Sequence, residues 1–149
     1  IEQSDKLGID ALLVVDIPGE FKLNSYGISN PNIDTISLIS PTTADNRIKQ
    51  ITENSSGFIY YVNLRGVTGS SNLDMNEIEK NISKIRQYTQ IPTLAGFGIK
   101  TPSDAKILAK CADGVIVGSS IVEMIDAAKE TKDFSKIEEY LKDLHRAIN

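Results

Sequence analysis

The chain has no tryptophan, one histidine (His145) and one cysteine (Cys111) among its 149 residues. A single cysteine excludes an internal disulfide, and without a Cys/His cluster the sequence spells out no metal set. No apolar run approaches the roughly 18 residues that cross a bilayer, and Ile1-Glu2-Gln3-Ser4-Asp5 is not a signal sequence. There is no basic run, and the formal net charge is −4. These absences argue against nucleic-acid and membrane partners and predict a soluble, cytoplasmic protein whose anions, if any, are bound locally.

What is present is ordinary for one domain spanning residues 1–149: 40% hydrophobic and 24% charged residues, with no linker or low-complexity tract. Apolar β-branched runs alternate with helical patterns. Strands are predicted at Ala11–Asp16, Thr35–Ile39, Phe58–Val62, Pro92–Ala95 and Gly114–Val117. Runs such as Leu12-Leu13-Val14-Val15 are apolar on both faces, which predicts a parallel sheet covered on both sides. Helix starts are predicted at Asp74 with Glu77, at Ser120 with Glu123, and at Thr101-Pro102. Met75, Ile78, Ile82, Ile85 and Tyr88 form one apolar stripe, and Ile137, Tyr140, Leu141, Leu144 and Ile148 form another. Both stripes are expected to dock on the sheet, with tyrosine hydroxyls left wet. Five alternating units fit an open doubly wound sheet or the later part of a barrel.

Two glycine turns, Leu94-Ala95-Gly96-Phe97-Gly98 and Val115-Ile116-Val117-Gly118-Ser119-Ser120, each close an apolar run and open onto a helix. Helix N-termini carry partial positive charge and unpaired N–H donors, so the pair reads as a phosphate cup. Either turn alone is also plain turn chemistry. The cations near the turns are Lys100, Lys106 and Lys110, which leaves most of the binding to amides and hydroxyls. His145, in the last turn of the final helix, suits the helix dipole better than catalysis, and Cys111 reads as a small core residue.

The string Gly66-Val67-Thr68-Gly69 resembles the loop after strand six of the tryptophan synthase alpha subunit family. Pro92-Thr93-Leu94-Ala95-Gly96-Phe97-Gly98-Ile99 is similar to that family's strand seven and its loop. Gly114-Val115-Ile116-Val117-Gly118-Ser119-Ser120-Ile121-Val122 is similar to strand eight and a short extra helix. Upstream, Leu13-Val14-Val15-Asp16-Ile17-Pro18 and Leu38-Ile39-Ser40-Pro41-Thr42-Thr43 match strands four and five. The resemblance implies an α/β chain forming the C-terminal part of a TIM (β/α)8 barrel, with five parallel strands alternating with helices. It also implies cleavage of indole-3-glycerol phosphate to indole and glyceraldehyde 3-phosphate in tryptophan biosynthesis, and a lyase that works with a beta subunit in an alpha2beta2 complex. Pyridoxal phosphate is expected in that partner, and no cofactor in this chain.

Carried over position by position, the resemblance implies that Gly69, Gly98, Gly118 and Ser119 bind the substrate phosphate. Tyr60, Thr68, Phe97 and Ile116 line the indole side, with barrel-core packing the alternative for Tyr60 and Ile116. The family's catalytic glutamate and aspartate belong to sequence upstream of Ile1, so no catalytic residue is expected here, and an N-terminal barrel segment is an expected partner. Asn63-Leu64-Arg65 departs from the family's usual loop, where Arg65 reads as a phosphate contact or as an exposed loop residue. Asp16, a carboxylate at a strand's C-terminal end, reads as a substrate-side or interface residue or as a loop cap. A phosphate-binding or subunit-docking module without catalysis is the alternative of a different class, and another phosphate-binding barrel enzyme is disfavoured by the joint glycine motifs.

Overall fold

A computed structural model describes residues 5–22, 25, 27, 30, 32–63 and 74–149. After a single 3-10 turn at Asp5–Leu7, the elements run β1 (Ala11–Leu13), β2 (Asp34–Ile39), α1 (Asp45–Asn54), β3 (Ile59–Tyr61) and α2 (Met75–Arg86). They continue with β4 (Thr93–Ala95), α3 (Pro102–Leu108), β5 (Gly114–Val115), α4 (Ser119–Ala128) and α5 (Ser135–Ile148). All five predicted strands are present, each shorter than or close to its sequence pattern. β1 stops at Leu13 because the Ile17 N–H bonds the Val14 carbonyl and turns the chain out of the sheet. Asp16 therefore sits in a turn beyond the strand.

The strands are parallel throughout, in the order β1-β2-β3-β4-β5. A doubly wound sheet reverses its strand order at a switch point, and this one does not. Sequential right-handed crossovers place the connecting helices on one face. Across that face the register aligns Ile39, Tyr61, Ala95 and Val115. Ile39, Tyr61 and Ala95 are buried in one cluster with Ile48 and Ile51 of α1, Ile78, Ile82 and Ile85 of α2, and Leu108 of α3. The opposite face carries Leu38, Tyr60 and Leu94, all only partly buried. The expectation of a sheet covered on both sides is thus corrected among the described residues, because apolar side chains on both faces suit a barrel wall as well as a sandwiched sheet.

The helix starts divide. Thr101 caps α3, accepting the Asp104 N–H, while Asp104 accepts from the Thr101 N–H in return, and Pro102 occupies the first turn. Asp74 caps α2 by accepting the Glu77 N–H at 3.1 Å. Ser120 is not a cap: α4 begins at Ser119 with Gly118 as N-cap, and the Ser120 hydroxyl reaches elsewhere. In the first stripe, Ile78, Ile82 and Ile85 are fully buried, but Tyr88 lies past the end of α2 and is exposed. The second stripe packs chiefly on α3 and α4 rather than on the sheet. Its Leu141 is exposed, and the Tyr140 hydroxyl is buried, with no hydrogen-bond partner among the described residues, instead of wet. At the foot of the sheet, Asp113 accepts from the Thr93 N–H and from Arg86, both at 2.8 Å, tying β4 to the end of α2. No helix of the described residues is long and apolar enough to cross a membrane.

Candidate functional site

A cavity of about 510 Å³ opens at the C-terminal ends of β3, β4 and β5. Parallel α/β proteins bind ligands at this end of their strands, and the volume lies in the small-molecule range. Of the eight binding residues expected from sequence, six line it together: Tyr60, Phe97, Gly98, Ile116, Gly118 and Ser119. Thr68 and Gly69 lie outside the described residues, as does Arg65.

The strand alternation explains the apolar wall. Ile59 and Tyr61 turn toward the helices, so Tyr60 between them turns into the cavity. Gly96 follows β4 at the point where Tyr60 and Ile116 converge, and the Tyr60 hydroxyl stands 3.5 Å from the Gly96 carbonyl. Phe97 is buried, its ring edge-on to Tyr61 with centroids 6.1 Å apart, and Asn81 donates to the Tyr61 hydroxyl at 3.1 Å. Phe97 therefore belongs to the core as well as to the cavity wall. Gly98 has φ +61°, a left-handed conformation that lets the chain turn from β4 toward α3.

The polar end is built by α4. Its first-turn amides have no side-chain cap, and the Ser119 hydroxyl makes no hydrogen bond among the described residues. Such an end favours an anion. Of the three lysines near the turns, Lys100 lines the cavity, facing the same space as Glu123 of α4. Behind the loop, burial pushes the Asp104 carboxyl up. Hydrogen bonds from the Lys100 and Thr101 backbone N–H groups and from Thr101 outweigh burial and hold it below the usual carboxylate range.

Other candidates stand apart. Asp16 is exposed and makes no hydrogen bond or ion pair among the described residues, so it does not cap its loop. That loop is pinned by the next carboxylate, Glu20, which pairs with Arg47 at 2.5 Å while its carbonyl accepts from Asn54 at 2.7 Å. The Arg47 bond holds the Glu20 carboxyl below its ordinary range against an opposing burial effect. His145 is exposed in the last turn of α5, away from the cavity. Cys111 is buried, its thiol donating to the Leu108 carbonyl at 3.3 Å, and burial pushes its pKa up. No group of His, Cys, Asp and Glu among the described residues is arranged to hold a metal. Sequence reasoning missed Ser120 and Gly96 as parts of the site. Gly118, three residues beyond β5, was the available signal that the helix cap lies two residues earlier than Ser120.

The family model described as "Tryptophan synthase alpha chain" matches residues 1–149. The tryptophan synthase alpha chain of Thiobacillus denitrificans is 39% identical over 152 residues, covering 99% of this chain and 55% of that protein. The alpha chain of Nitrosomonas europaea is 38% identical over 151 residues, covering 100% of this chain and 54% of that protein. Among solved structures, tryptophan synthase subunit alpha from Legionella pneumophila superposes with a TM-score of 0.80 at 31% identity, over 99% of this chain and 55% of that one. Subunit alpha from Campylobacter jejuni gives 0.73 at 35%, over 83% and 50%. The five strands are thus part of a (β/α)8 barrel, and the chain spans about half the length of the curated relatives it matches.

Proposed function

The chain belongs to the tryptophan synthase alpha chain family, and from that premise we propose that it supplies the phosphate- and indole-binding side of a lyase that cleaves indole-3-glycerol phosphate in tryptophan biosynthesis. The observation that carries this reading is the single cavity shared by Gly98, Gly118 and Ser119 at its polar end and by Tyr60, Phe97 and Ile116 on its apolar wall.

In a retro-aldol cleavage the bond between the indole ring carbon and the glycerol chain breaks. The ring carbon gains a proton, and the adjacent hydroxyl loses one to become the aldehyde of glyceraldehyde 3-phosphate. This chain's share is binding and orientation. The α4 amides and the Ser119 hydroxyl hold the phosphate, joined by Gly69, with Lys100 contributing charge from the rim. Tyr60, Phe97, Ile116 and Thr68 hold the flat ring, where an apolar wall excludes water. The proton transfers fall to the family's glutamate and aspartate, which match no position here. Indole then passes to a beta subunit carrying pyridoxal phosphate.

The test pairs this chain with a polypeptide carrying the family's first three strands, and measures glycerol phosphate binding by calorimetry and indole release from indole-3-glycerol phosphate. Binding and turnover are expected for the pair. The chain alone is expected to show no turnover, since loss of a general acid or base typically removes about 10²–10⁴ in rate. A pair that binds no glycerol phosphate, or steady turnover by the chain alone, overturns the reading.

A further inference from the structure

The two glycine turns are held together by one side chain. Ser120 Oγ donates to the Ile99 carbonyl at 3.0 Å, joining the first turn of α4 to the loop after β4. The last backbone rung between these segments lies earlier, where the Ile116 N–H donates to the Ala95 carbonyl at 2.8 Å. Beyond that rung no backbone hydrogen bond joins residues 96–100 to residues 117–120 among the described residues.

Among the described residues nothing else locks the turns at the glycines themselves. A Cβ built at Gly118 would meet no atom of the described residues within 4 Å. Gly98 is exposed and left-handed. Ile99, by contrast, is 5% exposed and anchored in the core, so its carbonyl is a fixed point. We propose that Ser120 is a positioning residue for the phosphate end of the cavity: its bond to Ile99 sets the separation of Gly98 from Gly118 and aims the α4 amides, which leaves Ser119 to touch the ligand. The proposal rests on the reading of this cavity as a phosphate site.

The physical reason is angular. Amide donors weaken steeply once misaligned, and a site of converging donors tolerates only about 0.5 Å of error. Two adjacent serines thus divide the work, one bonded to the protein and the other open to the cavity.

The test uses the complemented protein described above, with glycerol phosphate as the calorimetric probe. Ser120→Ala is expected to fold, because alanine is the better helix former. It is expected to weaken binding by about fivefold, the equivalent of one ordinary hydrogen bond. Ser120→Thr, which keeps the hydroxyl, is expected to restore affinity to within about twofold of the parent by remaking that bond. If Ser120→Ala lowers the melting temperature but binds as tightly as the parent, the bond is structural only and the proposal fails. It fails equally if Ser120→Thr is as weak as Ser120→Ala. A parent protein that binds no glycerol phosphate instead overturns the reading of the cavity.

Discussion

The ring of Tyr60 lies against the bare Cα of Gly96, so closely that a Cβ at Gly96 would stand 2.6 Å from Tyr60 Cε2, 2.8 Å from its hydroxyl and 2.9 Å from Ile116 Cβ. Ile116 offers no give at its own Cβ, so the ring must move. Gly96→Ala is therefore expected to displace Tyr60 from the apolar wall, with an overpacking cost of about 1–3 kcal/mol. Chemical denaturation against the parent checks the cost, and unchanged stability would show that the wall is softer than this contact implies.

Gly118 presents the opposite case. Among the described residues a Cβ there meets nothing, and aspartate is a preferred N-cap, so Gly118→Asp is expected to keep or raise thermal stability. Its carboxylate would face the phosphate proposed to bind at this end of the cavity. Like charges about 4 Å apart repel by roughly 1–4 kcal/mol between bulk water and a protein surface. A strong loss of glycerol phosphate affinity with the fold intact is the expected result, and equal affinity would remove Gly118 from the site.

Ser119→Ala is expected to weaken glycerol phosphate by roughly 1–3 kcal/mol, the worth of one hydrogen bond to a charged group, without lowering the melting temperature. Calorimetry beside a thermal melt separates the two effects. Lost stability with intact affinity would assign Ser119 to the fold rather than to the ligand.

The α3 cap links stability to acid. Asp104 is held below its ordinary value in the folded chain, so its contribution is fully present above the unfolded pKa of about 4 and is lost as pH falls through the lower folded value. Asp104→Asn is expected to flatten that acid limb, measured as unfolding free energy against pH below about 5. Thr101→Ala is expected to cost about 0.5–2 kcal/mol at neutral pH by removing the cap hydroxyl. An unchanged limb in Asp104→Asn would place acid sensitivity elsewhere, with the Glu20–Arg47 pair the next group to examine.

Thr93 is fully buried in β4, and its hydroxyl has no hydrogen-bond partner among the described residues. Its backbone N–H, not its side chain, is the group that Asp113 accepts. Valine keeps the shape and removes the unpaired group, so Thr93→Val is expected to be neutral or stabilising. A marked loss of stability would reveal a partner for that hydroxyl.

By itself the sequence determined the alternation of strands and helices, because β-branched runs and apolar stripes are local patterns set by side-chain periodicity. It also determined the α3 cap, since Thr101, Pro102 and Asp104 satisfy one another within four residues. The glycine motifs placed Gly98, Gly118 and Ser119 correctly at turns that open onto helices. Tertiary structure alone decided what lies between those turns. Strand order follows from crossovers, not from any run of residues, so periodicity left a doubly wound sheet and a barrel wall both open; the resemblance of the glycine motifs pointed to the barrel, and the pairing of β1 through β5 bears it out. The stripe of α5 faced helices instead of the sheet because a stripe records that a face is buried, not what buries it. Ser120 shows the same limit at a single hydroxyl. Its spacing to Glu123 is that of a capping box, yet its partner is the carbonyl of Ile99, brought near only when β4 and β5 lie side by side.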